Sequence, residues 1–127
     1  MRARELPAAD TALSLPNLQS VLDHLAEPRI SAGGDDLWTR RMPALAGAPN
    51  VSVKLSGMVT EASWSSWTPG DLRPFVDHVV RWFGSERLLF ESDWPVCLLA
   101  GSYHDVVSGL AAALTPANSQ RLRAVAA

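Results

Sequence analysis

The sequence predicts an α/β fold built on a parallel β-sheet, because short apolar runs alternate with segments of helical periodicity. Three such runs are candidate strands, namely Ser20–His24, Val51–Leu55 and Leu88–Asp93. His24, Lys54 and Asp93, at or beside the carboxyl ends of these runs, are separated by 30 and 39 positions, which fits successive βα units rather than hairpins. A parallel sheet needs cover on both faces, and three strands with three helices do not supply it, so we expect the chain to be part of a larger fold.

The clearest helix is predicted after the second strand. Apolar residues recur at steps of three and four from Leu72 to Phe83, which gives the helix one apolar face. Thr68 is a suitable N-cap, Pro69 suits the first turn, and Gly84 is a natural stop.

Two further helices are predicted from the same kind of spacing. One covers Tyr103–Leu114, and the other covers Leu37–Leu45 with an interruption near Pro43. The polar or glycine-rich segments Glu27–Asp36 and Ser56–Pro69 follow strand candidates and are therefore predicted to be βα loops.

Composition excludes several classes of protein. The 127 residues amount to one domain at most, and 47% hydrophobic with 19% charged residues indicates a chain that buries a core. The net charge of −2 and the lack of a basic stripe in the sequence indicate no positively charged surface for binding nucleic acid. A single cysteine, Cys97, is typical of a reducing compartment, so a cytoplasmic location is expected. Neither a membrane span nor, within Met1–Asp10, the apolar stretch of a secretory signal is visible.

Candidate chemistry lies where the predicted strands end, because the loops at the carboxyl ends of parallel strands converge on one side of the sheet. The residues selected by that rule are Asp23, His24, Lys54, Ser56, Asp93 and Trp94.

Each candidate has a functional and a structural interpretation. His24 could bind a metal or transfer protons, or it could hydrogen-bond a neighbouring loop. Asp93, between an apolar strand and an aromatic residue, is the best candidate for a general base, with capping of the loop as the alternative. Lys54 should face a crevice or an acidic partner unless it lies on an outward edge. Asp23 is expected to orient local backbone.

Three segments together carry a family resemblance: 21–28 (VLDHLAEP), 50–58 (NVSVKLSGM) and 87–97 (RLLFESDWPVC). They resemble the amidohydrolase-related hydrolases (amidohydrolase family 2), specifically the sugar-lactonase branch that contains L-fuconolactonase and L-rhamnonolactonase. The segments occur in the family's order, and the resemblance extends from about Leu15 to Leu114.

The resemblance implies a (β/α)₈ TIM barrel of roughly 250 residues or more. Residues 1–127 would be the C-terminal portion, equivalent to the last three βα units with strands 6–8. Asp93 would be the general base acting on water and His24 would line the same site. Lys54, Ser56 and Trp94 would contact substrate. A divalent metal such as zinc remains an open possibility for the cofactor, because members of this group differ in their need for one.

The implied function is hydrolysis of a small sugar lactone in carbohydrate catabolism. Because so much of a barrel is absent, we expect the isolated chain to be weakly active or inactive and to self-associate through open barrel edges. The alternative is a small non-catalytic α/β interaction module or a relic fragment. The family usually has glycine where this chain has Glu91, whose side chain would either enter the pocket or point outside the barrel.

Overall fold

The computed structural model describes residues 8–114. Residues 1–7 and 115–127 lie outside the described part. The predicted ends of the 1–127 domain and most of the Met1–Asp10 stretch fall on these residues. The helices and strands, in chain order, are α1 (Ala8–Ser14), β1 (Ser20–Leu22), α2 (Asp36–Ala46), β2 (Val51–Leu55), α3 (Met58–Glu61), α4 (Pro69–Phe83), β3 (Leu88–Phe90) and α5 (Tyr103–Ala113). Short 3₁₀ turns cover Asp23–Ala26, Ile30–Ala32, Ser85–Arg87 and Val96–Leu99.

The three strands form one parallel sheet in the order β1-β2-β3, which confirms the predicted topology. Leu22 of β1 pairs with Val53 of β2, and Val53 pairs with Leu88 of β3. In this register all three carboxyl ends lie at the same edge of the sheet, so the residues that follow them are brought together.

The first and third strands end earlier than predicted. β1 ends at Leu22 because the next residues leave extended conformation, with φ of +47° at His24 and positive φ through Glu27. β3 ends at Phe90, which pairs with the last residue of β2. The predicted runs extended past the paired residues into polar ones, Asp23 and His24 after β1 and residues 91–93 after β3.

The predicted interruption of α2 is wrong, since the helix continues through Pro43 to Ala46. Proline in a helix interior removes a hydrogen bond and clashes with the preceding turn. Here three side chains on one face, Trp38, Met42 and Leu45, are buried on both sides of the proline, and we attribute the continuity of the helix to that packing.

α4 and α5 match their predicted ranges closely. Thr68 and Asp71 form a capping box at the start of α4, with the Thr68 backbone N–H donating to Asp71 Oδ2 at 2.8 Å, and Gly84 follows the last residue. Ser102 and Asp105 form the equivalent capping box of α5. None of the helices within residues 8–114 has the length and apolar character that crossing a bilayer requires.

The loops predicted after β1 and β2 contain short ordered pieces, the 3₁₀ turn Ile30–Ala32 and helix α3. Both lie inside the predicted segments Glu27–Asp36 and Ser56–Pro69, so the two βα connections are confirmed and are only partly irregular.

The two faces of the sheet differ in their cover. Val51, Val53 and Leu55 are buried on one face, which packs with α4, and Phe75 of that helix contacts Trp38 at 5.4 Å between ring centroids. On the opposite face Val21 is 53% and Leu89 is 43% exposed. Residues 8–114 therefore cover one face of the sheet and leave apolar side chains open on the other, as expected from the count of helices.

The amino ends of the strands are held by side chains that bind backbone carbonyls. The Arg87 guanidinium lies 2.8 to 3.2 Å from the carbonyl oxygens of Ala46, Ala48 and Val51. The buried Asn50 amide nitrogen lies 2.8 to 3.1 Å from three carbonyls between Ala12 and Leu18. These contacts tie α1, α2 and β3 to the start of β2.

Candidate active site

Six polar side chains meet at the carboxyl edge of the sheet, two from the end of each strand. Asp23 and His24 follow β1, Lys54 and Ser56 belong to the end of β2, and Glu91 and Asp93 follow β3. Five of these residues were selected from sequence, and the structure brings them together as the parallel topology predicted.

His24 is held in an unusual backbone conformation. It begins four consecutive residues with positive φ, ending at Glu27 with φ of +52°. The left-handed region costs about 1 to 2 kcal/mol for each residue other than glycine. Such strain persists only where surrounding contacts impose it, and it is often found at functional sites.

Gly57 makes room for the imidazole of His24. A Cβ atom at Gly57 would lie 2.7 to 2.8 Å from the Cγ, Cβ and Nδ1 atoms of His24, closer than real Cβ contacts allow. Gly57 also has φ of +64°, which side chains disfavour. The glycine after β2 is therefore required on both counts. The sequence placed it beside Ser56 at a strand end but did not indicate its contact with His24.

The imidazole of His24 is placed between a hydroxyl and two carboxylates. Nδ1 lies 2.8 Å from Ser56 Oγ. Nε2 lies 3.5 Å from Asp23 Oδ2 and 3.7 Å from Asp93 Oδ1. Carboxylates only accept hydrogen bonds, so the surroundings favour the tautomer that carries its proton on Nε2, with the Ser56 hydroxyl donating to Nδ1.

Asp93 has its carboxylate largely withdrawn from solvent, with 17% of the side chain exposed. Its φ of +59° turns the chain sharply after β3. Its backbone carbonyl accepts from the N–H of Cys97 at 2.9 Å, which starts the following 3₁₀ turn. Cys97 is buried, and that burial, together with the negative charge of Asp93, raises the pKa of its thiol above the ordinary value of 9.0.

Lys54 bridges the two outer strands of the sheet. Its Nζ atom lies 2.7 Å from Glu91 Oε2 and 3.2 Å from Asp23 Oδ1. The hydrogen bonds that Lys54 donates, to Glu91 first and to Asp23 second, raise the pKa of Lys54 above its ordinary 10.5. Of the two interpretations of this lysine, the structure selects the one with acidic partners.

Two expectations about neighbouring acids change. Asp23 was expected to orient local backbone, whereas its carboxylate contacts the side chains of His24 and Lys54. Glu91 points toward Lys54 and thus toward the site.

Trp94 lies at the same edge of the sheet. The residue is 63% exposed, and its backbone N–H donates to Ser92 Oγ at 3.2 Å.

The side chains present do not assemble a metal centre. Within residues 8–114, no group of three or more His, Cys, Asp and Glu side chains is arranged to share an ion. The favoured proton on Nε2 of His24 also opposes coordination through that atom. We therefore assign no step to a metal.

Comparison with known proteins identifies relatives of the chain. A family model described as Amidohydrolase matches residues 2–126. The L-fucono-1,5-lactonase of Burkholderia ambifaria is 45% identical over 111 residues, covering 85% of this chain and 37% of that protein. The L-fucono-1,5-lactonase of Burkholderia multivorans is 43% identical over 97 residues, covering 69% of this chain and 33% of that protein. The chain thus spans about a third of the length of these curated relatives.

A solved structure confirms the architecture. The crystal structure of an amidohydrolase from Burkholderia multivorans with bound zinc superposes with a TM-score of 0.83 at 34% identity, covering 99% of this chain and 49% of that one. The three-stranded parallel sheet matches a fragment of an amidohydrolase TIM barrel. The resemblance recognised in the sequence is confirmed, and the chain belongs to the amidohydrolase family.

Proposed function

We propose that this chain contributes the last three βα units, strands 6–8, of a barrel that hydrolyses a sugar lactone. The observation that carries the proposal is the approach of Asp93 Oδ1 to His24 Nε2 within 3.7 Å at the carboxyl edge of the sheet. A base and a hydrogen-bond donor at that separation leave room for a water and a carbonyl group beside them. The relatives named as L-fucono-1,5-lactonases support this chemistry.

In the proposed reaction, Asp93 removes a proton from water while the water oxygen attacks the lactone carbonyl carbon. The Nε2–H of His24 donates a hydrogen bond to the carbonyl oxygen as it becomes negative. The tetrahedral intermediate then expels the ring oxygen, which takes the proton back from Asp93. The product is an open-chain hydroxy acid, and its carboxyl group ionises in water.

The supporting residues hold these two groups in place. Ser56 fixes the tautomer of His24 through Nδ1, and the side chains Lys54 and Trp94 border the position that a sugar ring would take. The 127 residues alone would lack the partners that a closed barrel supplies. We therefore propose that the isolated chain is inactive or nearly so.

The test is a chimera in which residues 8–114 replace the corresponding segment of the Burkholderia ambifaria L-fucono-1,5-lactonase. We expect hydrolysis of L-fucono-1,5-lactone, followed as proton release, and a loss of about 10² to 10⁴ in kcat for Asp93→Asn. Asp10→Asn, on the exposed surface of α1 at the other end of the sheet, is the matched control and should keep full activity.

Three results would each reject a part of the proposal. A folded chimera without hydrolysis would reject the lactonase function, and full activity of Asp93→Asn would reject its role as the base. Appreciable hydrolysis by the isolated 127-residue chain, abolished by Asp93→Asn, would show that the remainder of a barrel is not needed.

A further inference from the structure

The ion pairs around Lys54 leave its ammonium group occupied. Lys54 is the central residue, and carboxylates from both outer strands approach it, Glu91 at 2.7 Å and Asp23 at 3.2 Å. All three side chains remain partly exposed, at 32% for Lys54, 42% for Glu91 and 51% for Asp23. A positive group enclosed in this way is not available to bind the carboxylate of a ligand.

The charges of the site do not balance. The carboxylates of Asp23, Glu91 and Asp93 share the edge of the sheet with the ammonium group of Lys54, so these four side chains carry three negative charges and one positive charge, a net charge of −2. Clefts lined by one sign of charge concentrate their field and exclude ligands of the same sign. Glu91 supplies the second unit of this charge, since without it the site would carry −1.

We infer that Glu91 is a specificity-determining residue that restricts the site to uncharged rings and excludes rings bearing a carboxylate. The inference rests on the proposed function for the kind of ring, and it deepens that function in two ways. A neutral lactone enters, whereas a lactone with an additional carboxylate is repelled. The hydroxy acid product is itself an anion, so the same charge favours its departure.

The test measures ligand exclusion without turnover. Two nitroxide probes share one five-membered ring and differ only in the group they carry, a carboxylate in 3-carboxy-PROXYL and an amide in 3-carbamoyl-PROXYL. Each is added to the full 127-residue chain at pH 8 and low ionic strength, where screening is weak, with a chelator present. Relaxation enhancement of the backbone amides of Leu55 and Ser56 reports the local concentration of each probe.

We expect the carboxylate probe to produce at most about a third of the enhancement of the amide probe at these two amides. Glu91→Gln should at least double that ratio. Lys54→Met, which makes the site more negative, should lower the ratio further and provides an independent variant. Glu86→Gln removes the same charge at the opposite end of β3 and should leave the ratio unchanged, which separates local from overall charge.

A ratio near one in the unmodified chain, or a ratio that Glu91→Gln and Glu86→Gln change equally, would overturn the inference. Because no hydrolysis is measured, the result is independent of the chimera. An inactive chimera with a low ratio would reject the lactonase while the charge selectivity stands. An active chimera with a ratio near one would support the lactonase function and reject the charge selectivity.

Discussion

Replacing Gly57 by alanine should destabilise the fold through His24. The added methyl group would lie 2.7 to 2.8 Å from the imidazole and its Cβ, so the histidine must move. A non-glycine residue at φ of +64° costs about 1 kcal/mol, and losing the 2.8 Å contact between His24 and Ser56 costs about 1 kcal/mol more. The free energy of unfolding should therefore fall by about 2 to 3 kcal/mol.

Gly33 provides a matched control for the backbone part of this effect. Its φ is +79°, and a Cβ there would meet nothing within 4 Å. Gly33→Ala should cost only about 1 kcal/mol, as expected for the backbone alone. Denaturant unfolding followed by tryptophan fluorescence gives both values, provided that the slope m stays the same.

A double variant identifies the steric part directly. In Gly57→Ala with His24→Gly the methyl group meets neither the imidazole nor the Cβ of residue 24, so Gly57→Ala should cost about 1 kcal/mol in that background. Equal destabilisation by Gly57→Ala and Gly33→Ala, or an unchanged cost of Gly57→Ala when His24 is already glycine, would refute the reasoning.

Three further predictions test other contacts. Arg87→Lys should lower the free energy of unfolding by about 2 kcal/mol, because the carbonyls of Ala46, Ala48 and Val51 lose donors. Arg81→Lys, on the exposed face of α4, should stay within about 0.5 kcal/mol in the same denaturant assay. Hydrogen bonds from the backbone and hydroxyl of Ser102 lower the pKa of Asp105 below 3.8. This stabilisation is present above pH 3.8 and is lost as the pH falls through the lowered value. The free energy of unfolding should therefore fall less between pH 6 and pH 3 in Asp105→Asn than in the unmodified chain. The pKa of Cys97 is raised, so the contribution of its neutral thiol to the free energy of unfolding is complete below pH 9.0 and declines as the pH rises through the raised value. Its thiol should react with iodoacetamide only at the unfolding rate, and rapid labelling of the folded chain would contradict its burial.

Local signals predicted the three longest helices, α2, α4 and α5, but not the short helices α1 and α3. The boundaries of α4 are specified by Thr68, Pro69 and Gly84, all within a few residues of the helix ends, and its apolar spacing sets the buried face. The parallel order followed from the spacing of the strand candidates. In contrast, the end of β1 depends on positive φ at His24, a residue whose type does not announce that conformation.

Contacts between distant residues explain what the sequence could not predict. His24 and Ser56 are 32 positions apart, and Lys54 meets Glu91 only because β2 and β3 pair with Leu55 beside Phe90. Each residue was visible as a candidate, but its partner depends on strand register. The role of Gly57 likewise depends on where the imidazole lies, which no local pattern specifies.

The anchoring of the sheet by Arg87 and Asn50 has a consequence for how such a chain acquires new specificities. Both residues act at the amino ends of the strands, across 32 to 41 positions of sequence, while the reactive side chains occupy the carboxyl ends. Substitutions at positions 54, 91 and 94 can therefore change which ligand binds without lowering the stability of the sheet. The contacts that stabilise the sheet and those that recognise a ligand lie at opposite ends of the same strands, so relatives can diverge in ligand while keeping the fold.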